Sequence, residues 1–126
     1  MVTELTSEKE GKYTIVNYFS VAPNNASSYE EMEKTIYQPM HQEHINTGNR
    51  TYWGIWSMWP RSHNKYQYVA VDSFTSLGDD GVSFEDLFKK VHAGKDINVE
   101  TVKTNNLRTL AKSEIQRTID SVWKEQ

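Results

Sequence analysis

His41 and His44, three residues apart in Tyr37-Gln-Pro-Met-His-Gln-Glu-His44, are the side chains best suited to chemistry. Histidine titrates close to neutrality, so either one can take or give a proton under ordinary conditions. A helix would set them on neighbouring positions, with Glu43 beside them as a possible carboxylate partner. No third ligand lies nearby in sequence and the His-Glu-x-x-His spacing is absent, so no metal centre is expected. His41 comes two residues after Pro39, which leaves two roles open. It is either a general base or hydrogen-bond donor in a cleft, or the donor to a backbone carbonyl that Pro39 deprives of its amide partner. Asn17 and Asp72 are polar residues within apolar strand patterns, and if those faces are buried each needs a partner. For Asn17 the partner is either a ligand, which would add it to the catalytic set, or a backbone group, a tyrosine hydroxyl or a water. Asp72 could bind a ligand or orient a histidine. Trp53, Trp56 and Tyr68 are either walls of a ligand site or parts of a core or subunit interface. No nucleotide-binding glycine loop, Gly-x-Ser-x-Gly elbow or assignable serine triad is present.

These residues must be placed by a strand at 50–60, which gathers three of the four tryptophans. Its alternate positions read Tyr52, Gly54, Trp56, Met58 on one face and Thr51, Trp53, Ile55, Ser57, Trp59 on the other, so neither face is polar. Both sides are therefore expected to be covered, one by the chain's own helices and the other by a second copy of the same sheet. Gly54, between two tryptophans, leaves room for a packed ring, a bulge or a ligand.

Along the chain, residues 1–11 read as a flexible polar arm and residues 12–126 as one domain. Residues 13–21 alternate as a first strand. A helix follows, opened by the Ser27/Glu30 or Ser28/Glu31 capping box, with Tyr29, Met32, Ile36 and Met40 on one stripe, a kink or restart at Pro39 and an end at Gly48. After the tryptophan strand and a polar turn at 60–65, residues 66–74 form a third strand in an antiparallel hairpin with it. Ser83 caps a second helix carrying Phe84, Leu87, Phe88 and Val91, with Val82 and Leu87 as a staple and Gly94 as its stop. A further helix from about residue 98 precedes a last strand marked by Ile115, Arg117 and Ile119, which would pair an otherwise open edge. The sum is an α+β chain with a four-stranded antiparallel sheet in the ferredoxin-like split β-α-β arrangement, plus an extra helix before the last strand.

Composition removes several classes. With 126 residues, a net charge of −3 and acids and bases interspersed, no basic field exists for a nucleic acid. The absence of cysteine excludes thiol catalysis and disulfides. The acidic first residues lack an export pattern, and no run approaches the roughly 18 apolar residues of a membrane span. A soluble protein is expected, either cytoplasmic or exported after loss of a leader.

The segments 16–21 (Val-Asn-Tyr-Phe-Ser-Val), Tyr29-x-x-Met32-Glu33 running into 36–43 (Ile-Tyr-Gln-Pro-Met-His-Gln-Glu), Trp53-Gly-Ile-Trp56 and 68–74 (Tyr-Val-Ala-Val-Asp-Ser-Phe) together resemble the dimeric α+β barrel superfamily. That group includes antibiotic-biosynthesis-monooxygenase-like, NIPSNAP-like and stress-responsive barrel domains. The resemblance spans roughly residues 13–94. It implies a homodimer in which two sheets close a barrel, and a small hydrophobic or aromatic ligand held between sheet and helices. It further implies oxygenase chemistry without a dedicated metal, with His41 assisting proton removal. The expected site is then His41, Asn17, Trp53, Trp56, Tyr68 and Asp72, with no cofactor. Two alternatives stand beside it: a non-catalytic dimeric assembly or stress-response module, and a haem-handling protein with His41 or His44 as axial ligand.

Overall fold

The computed structural model describes residues 1–9, 11–48, 50–58, 66–76 and 83–117. It is α+β. Strands β1 (Thr3–Thr6), β2 (Tyr13–Ser20), β3 (Arg50–Ser57), β4 (Tyr68–Phe74) and β5 (Thr109–Arg117) form one five-stranded antiparallel sheet in the order β1-β3-β4-β2-β5. A continuous helical run joins α1 (Ala26–Met32) through a π turn (Glu33–Tyr37) to α2 (Gln38–Thr47), and α3 (Phe84–Val91) and α4 (Ile97–Leu107) follow. No helix among the described residues is long and apolar enough to cross a membrane.

The period-two pattern decides the two faces. In register, Phe19 pairs with Tyr68, Asn17 with Ala70, Trp53 with Asp72 and Ile55 with Ala70, which puts these residues on one side. That side meets Tyr29, Met32, Ile36, Met40, Leu87 and Phe88 in the hydrophobic core. Each large apolar side chain buried there contributes about 1.5–3 kcal/mol. The other side presents Tyr18, Tyr52, Trp56, Val69 and Val71. Trp53 is 1% exposed and Trp56 is 40% exposed, so among the described residues the helix side is the more completely covered.

The structure corrects several expectations. The sheet has five strands rather than four, because part of the arm expected at 1–11 is a strand. Thr3 and Leu5 pair with Ile55 and Trp53 along the edge of β3, and Leu5 packs on the core. Lys9 Nζ then donates to the Ile45 and Gly48 carbonyls at 3.3 and 3.2 Å, neutralising the negative end of α2. An arm of four strand residues is too short to show a period, and it is ordered by the strand edge it meets. The capping box does not form either. Pro23, preorganised for a first helical position, opens a 3₁₀ turn (Pro23–Asn25) that runs into α1 with no side-chain cap. At Pro39, by contrast, the expected restart is seen: a π turn closes with the Gln38 amide reaching back to the Glu33 carbonyl, and α2 begins at Gln38 with Pro39 in its first turn.

Other expectations are met. Ser83 Oγ accepts from the Asp86 amide, Gly94 adopts φ +92°, and residues 97–117 are helix then strand, the helix capped by Asp96. β5 pairs with β2 but becomes an edge itself, leaving Ile115 65% exposed. Trp59, the turn at 60–65, Val82 and Ile119 lie outside the described residues.

Candidate functional site

The site begins with an irregularity in β3. Arg50 pairs with Phe74 and Tyr52 with the adjacent Ser73, so two steps on β3 match one on β4 and Thr51 is the extra residue of a bulge. Strict alternation would place Arg50 with Tyr52 and Trp56 on the open face. The bulge turns it to the side of Trp53 and Asp72 instead. There its guanidinium lies 4.8 Å from the Phe74 ring centroid, and Nη1 lies 3.0 Å from Asp72 Oδ1. The same Nη1 donates to His41 Nδ1. His41, delivered by α2, stacks on Trp53 with ring centroids 4.5 Å apart and planes 17° from parallel.

Protonation follows from this geometry. A guanidinium can only donate, so Nδ1 of His41 accepts and its proton resides on Nε2. Burial, then the charge of Arg50, then His44 and Arg108, hold the His41 pKa well below its ordinary value, and the ring is neutral at pH 7. The nitrogen that a general base would use at Nδ1 is therefore engaged, and His41 offers an N–H rather than a lone pair. Asp72 lies 3.8 Å from Nδ1, too far to orient the ring directly, and Arg50 bridges the two. Burial pushes the Asp72 carboxyl up to about 6, against the pull of Arg50 and Arg108. Its Oδ1 takes no aligned hydrogen bond despite the close guanidinium.

Above this floor lies a cleft of about 250 Å³ between α2 and α3, lined by Tyr37, Met40, His41, His44, Arg50, Phe84 and Leu87. Glu43, the carboxylate expected beside the histidines, is held by Lys90 Nζ at 2.5 Å. The task of satisfying a carbonyl near Pro39 belongs to His92, whose Nε2 donates to the Ile36 carbonyl at 2.7 Å.

Of the six residues expected to form one site, the structure brings together His41, Trp53 and Asp72. Tyr68 is on the same face but buried in the core, its hydroxyl donating to Glu30 Oε2 at 2.5 Å and its ring 4.6 Å from that of Tyr29. Asn17 lies toward β5, where its side-chain oxygen accepts from Ser113 Oγ at 2.6 Å. Trp56 is on the opposite face. The sequence reading missed Arg50, whose placement depends on the bulge, and His44 lines the cleft beside it.

A second buried group was also missed. Glu33 Oε2, on the π turn, accepts from the Tyr29 hydroxyl at 2.6 Å and from Arg108 Nη1 at 3.0 Å. Arg108, at the corner between α4 and β5, lies 4.2 Å from the Phe19 centroid and 5.3 Å from that of Tyr37. Burial raises the Glu33 pKa, with Arg108 and Tyr29 pulling it back, and burial also raises that of Tyr29. A signal was present: a glutamate on the Tyr29, Met32, Ile36 stripe requires a cation.

Compared with protein-family models, curated proteins and solved structures, the chain matches none. The geometry alone carries the functional reading. It provides a small, mostly apolar cleft with nitrogen donors at its floor and a carboxyl behind them whose charge state changes near neutrality.

Proposed function

We propose that the protein is a homodimeric small-molecule-binding protein of the dimeric α+β barrel type, with its ligand in the cleft between α2 and α3. The observation that carries the binding reading is the buried Arg50, His41 and Asp72 group at the cleft floor. Ion pairs in such positions are rarely worth more to stability than apolar residues of the same volume, so their presence is better explained by use. The order β3-β4-β2-β5 within the sheet supports the ferredoxin-like reading, to which β1 adds an edge. The open face with Tyr52, Trp56, Val69 and Val71 supports pairing with a second copy.

The resemblance extends this to oxygenase chemistry on a hydrophobic or aromatic compound. In that scheme His41 Nε2–H would hold a substrate oxygen and stabilise charge developing there, rather than remove a proton. The alternative of a non-catalytic assembly module draws on the same open face and dispenses with the cleft.

Two measurements test the proposal. Light scattering is expected to give twice the chain mass of 14.7 kDa, and Trp56→Glu to give the monomer. A thermal-shift screen of one- and two-ring compounds is expected to yield stabilisers whose effect is lost in Phe84→Ala. A monomeric wild type removes the barrel, and a screen without hits that depend on Phe84 removes the ligand site and leaves the assembly module.

A further inference from the structure

We propose that the cleft takes a small organic monoanion, a carboxylate on a compact apolar body, with its charged oxygens toward Arg50, His41 and His44. This rests on reading the cleft as a ligand site and adds the charge and size of the occupant. Among the described lining residues the polar side chains are Arg50, His41, His44 and Tyr37, three of them carrying N–H donors and none of them an acid. Tyr37 is committed elsewhere, its hydroxyl 2.6 Å from Thr104 Oγ1. The five N–H groups of a guanidinium fan out in one plane, so Arg50 can face Asp72 and the cleft together. His41, with its proton on Nε2, adds a donor that stays neutral. Met40, Phe84 and Leu87 supply the apolar walls. At about 250 Å³ the cleft lies below the roughly 300–1,000 Å³ of drug-sized sites, which favours a single ring or short chain over a polycyclic body.

Charge balance adds a second property. The groups that act on Asp72 or close around it are Arg50 from β3, His41 and His44 from α2, Glu33 from the π turn and Arg108 from the corner before β5. Among the described residues these two carboxyls face two guanidiniums, and an arriving anion adds negative charge to a low-dielectric region. A proton restores the balance. Asp72 is the group placed to accept it, since burial already brings its carboxyl close to neutrality, while Glu33 is held by Tyr29 and Arg108. The anion therefore enters with a proton, and affinity rises as pH falls from 8 to 5.

The test is calorimetric titration of the full chain with benzoate and with benzamide, its neutral analogue of the same shape. Benzoate is expected to bind with a Kd on the order of 1 mM, as suits so few atoms. Binding should tighten toward tenfold between pH 8 and pH 5 for a one-unit rise in the Asp72 pKa on binding. Titrations in two buffers of different ionisation enthalpy should report proton uptake near pH 6. Benzamide should bind at least about fivefold more weakly at pH 5, from the loss of a charged hydrogen bond. Phe84→Ala and His44→Gln should weaken benzoate, and Asp72→Asn added to His44→Gln should abolish the pH dependence that remains in His44→Gln alone. Equal binding of the two probes, both sensitive to Phe84→Ala, overturns the anion proposal and leaves a neutral-ligand site. Binding of neither, while other compounds depend on Phe84, also overturns it. Binding of no compound through Phe84 removes the ligand site as well.

Discussion

Asp72→Asn separates the electrostatics of the cleft floor from its packing. Asparagine has the same shape and still offers Arg50 an oxygen, but it does not titrate. The Asp72 carboxyl is pushed from 3.8 up to about 6 in the folded chain. That difference corresponds to about 3 kcal/mol of folding free energy that the wild type loses as pH rises from below 4 to above 6. The sign follows from proton counting. In this window the folded chain holds a proton that the unfolded chain has released, so raising the pH favours unfolding. His41 acts oppositely: its lowered pKa means the unfolded chain takes up a proton first, and stability falls as pH drops through 6.5. The wild-type curve mixes the two, whereas the wild-type minus Asp72→Asn difference retains chiefly the Asp72 contribution. Urea unfolding at pH 4, 5, 6 and 7 should therefore show Asp72→Asn gaining about 3 kcal/mol on the wild type between pH 4 and 7. With m-values of about 1–3 kcal/mol/M for chains of this size, the relative midpoint moves by roughly 1–3 M. The attraction of Arg50 for the carboxylate is already contained in the net upward shift, so it enters the pH difference and is not counted again. A flat difference, or a variant that loses ground as pH rises, would mean that Arg50 rather than burial governs Asp72, and the reasoning would fail.

Three further outcomes follow from the same packing. Arg108→Met leaves Glu33 buried without its cation and should cost about 3–5 kcal/mol by chemical denaturation at pH 7, whereas the double variant Glu33→Gln/Arg108→Met should recover a large part of that loss. His92→Ala removes the donor to the Ile36 carbonyl and should cost about 1 kcal/mol, with faster amide exchange in the π turn. A Cβ at Gly54 would collide with the Tyr52 ring that lies over it, so Gly54→Ala should cost about 1–3 kcal/mol in thermal unfolding, and Gly54→Ala/Tyr52→Val should relieve the strain.

Periodicity carried the reading of the fold. β2, β3, β4 and α3 were legible because each buries one face and so repeats at two or at three to four residues, whereas the helix-then-strand ending was read from the sheet edge it would pair, and β5 lies almost wholly exposed along that edge. β1 was not, since four residues next to a strand edge take their conformation from that edge. The site was legible in part for the same reason. His41, Trp53 and Asp72 could be placed near one another by assuming regular alternation, and they are. Arg50 could not, because Thr51 adds one residue and reverses the face of everything before it. Asn17 and Tyr68 were assigned to the correct face but not to the correct distance along it, and a period does not encode distance. His41 was weighed as a possible donor to the proline-disturbed helix, a role that fell to His92, fifty-one residues later in the chain.

The two tryptophans that dominate the sequence now separate into different tasks. Trp53 supports the ring of His41 on the helix side of the sheet, and Trp56 stands on the far side, beyond the backbone of β3. A sheet one strand thick insulates the two faces from each other except through the strands themselves. Changes at Trp56 should therefore alter assembly while leaving probe binding in the cleft within about twofold, and Phe84→Ala should do the reverse, since sites without shared partners behave additively. Coupling between the faces has one plausible carrier, the bulge at Thr51, which fixes Arg50 on one face and Tyr52 on the other within three residues. If Trp56→Glu both dissociates the dimer and weakens benzoate by more than about tenfold, the bulge shifts with assembly, and the cleft is completed only in the pair.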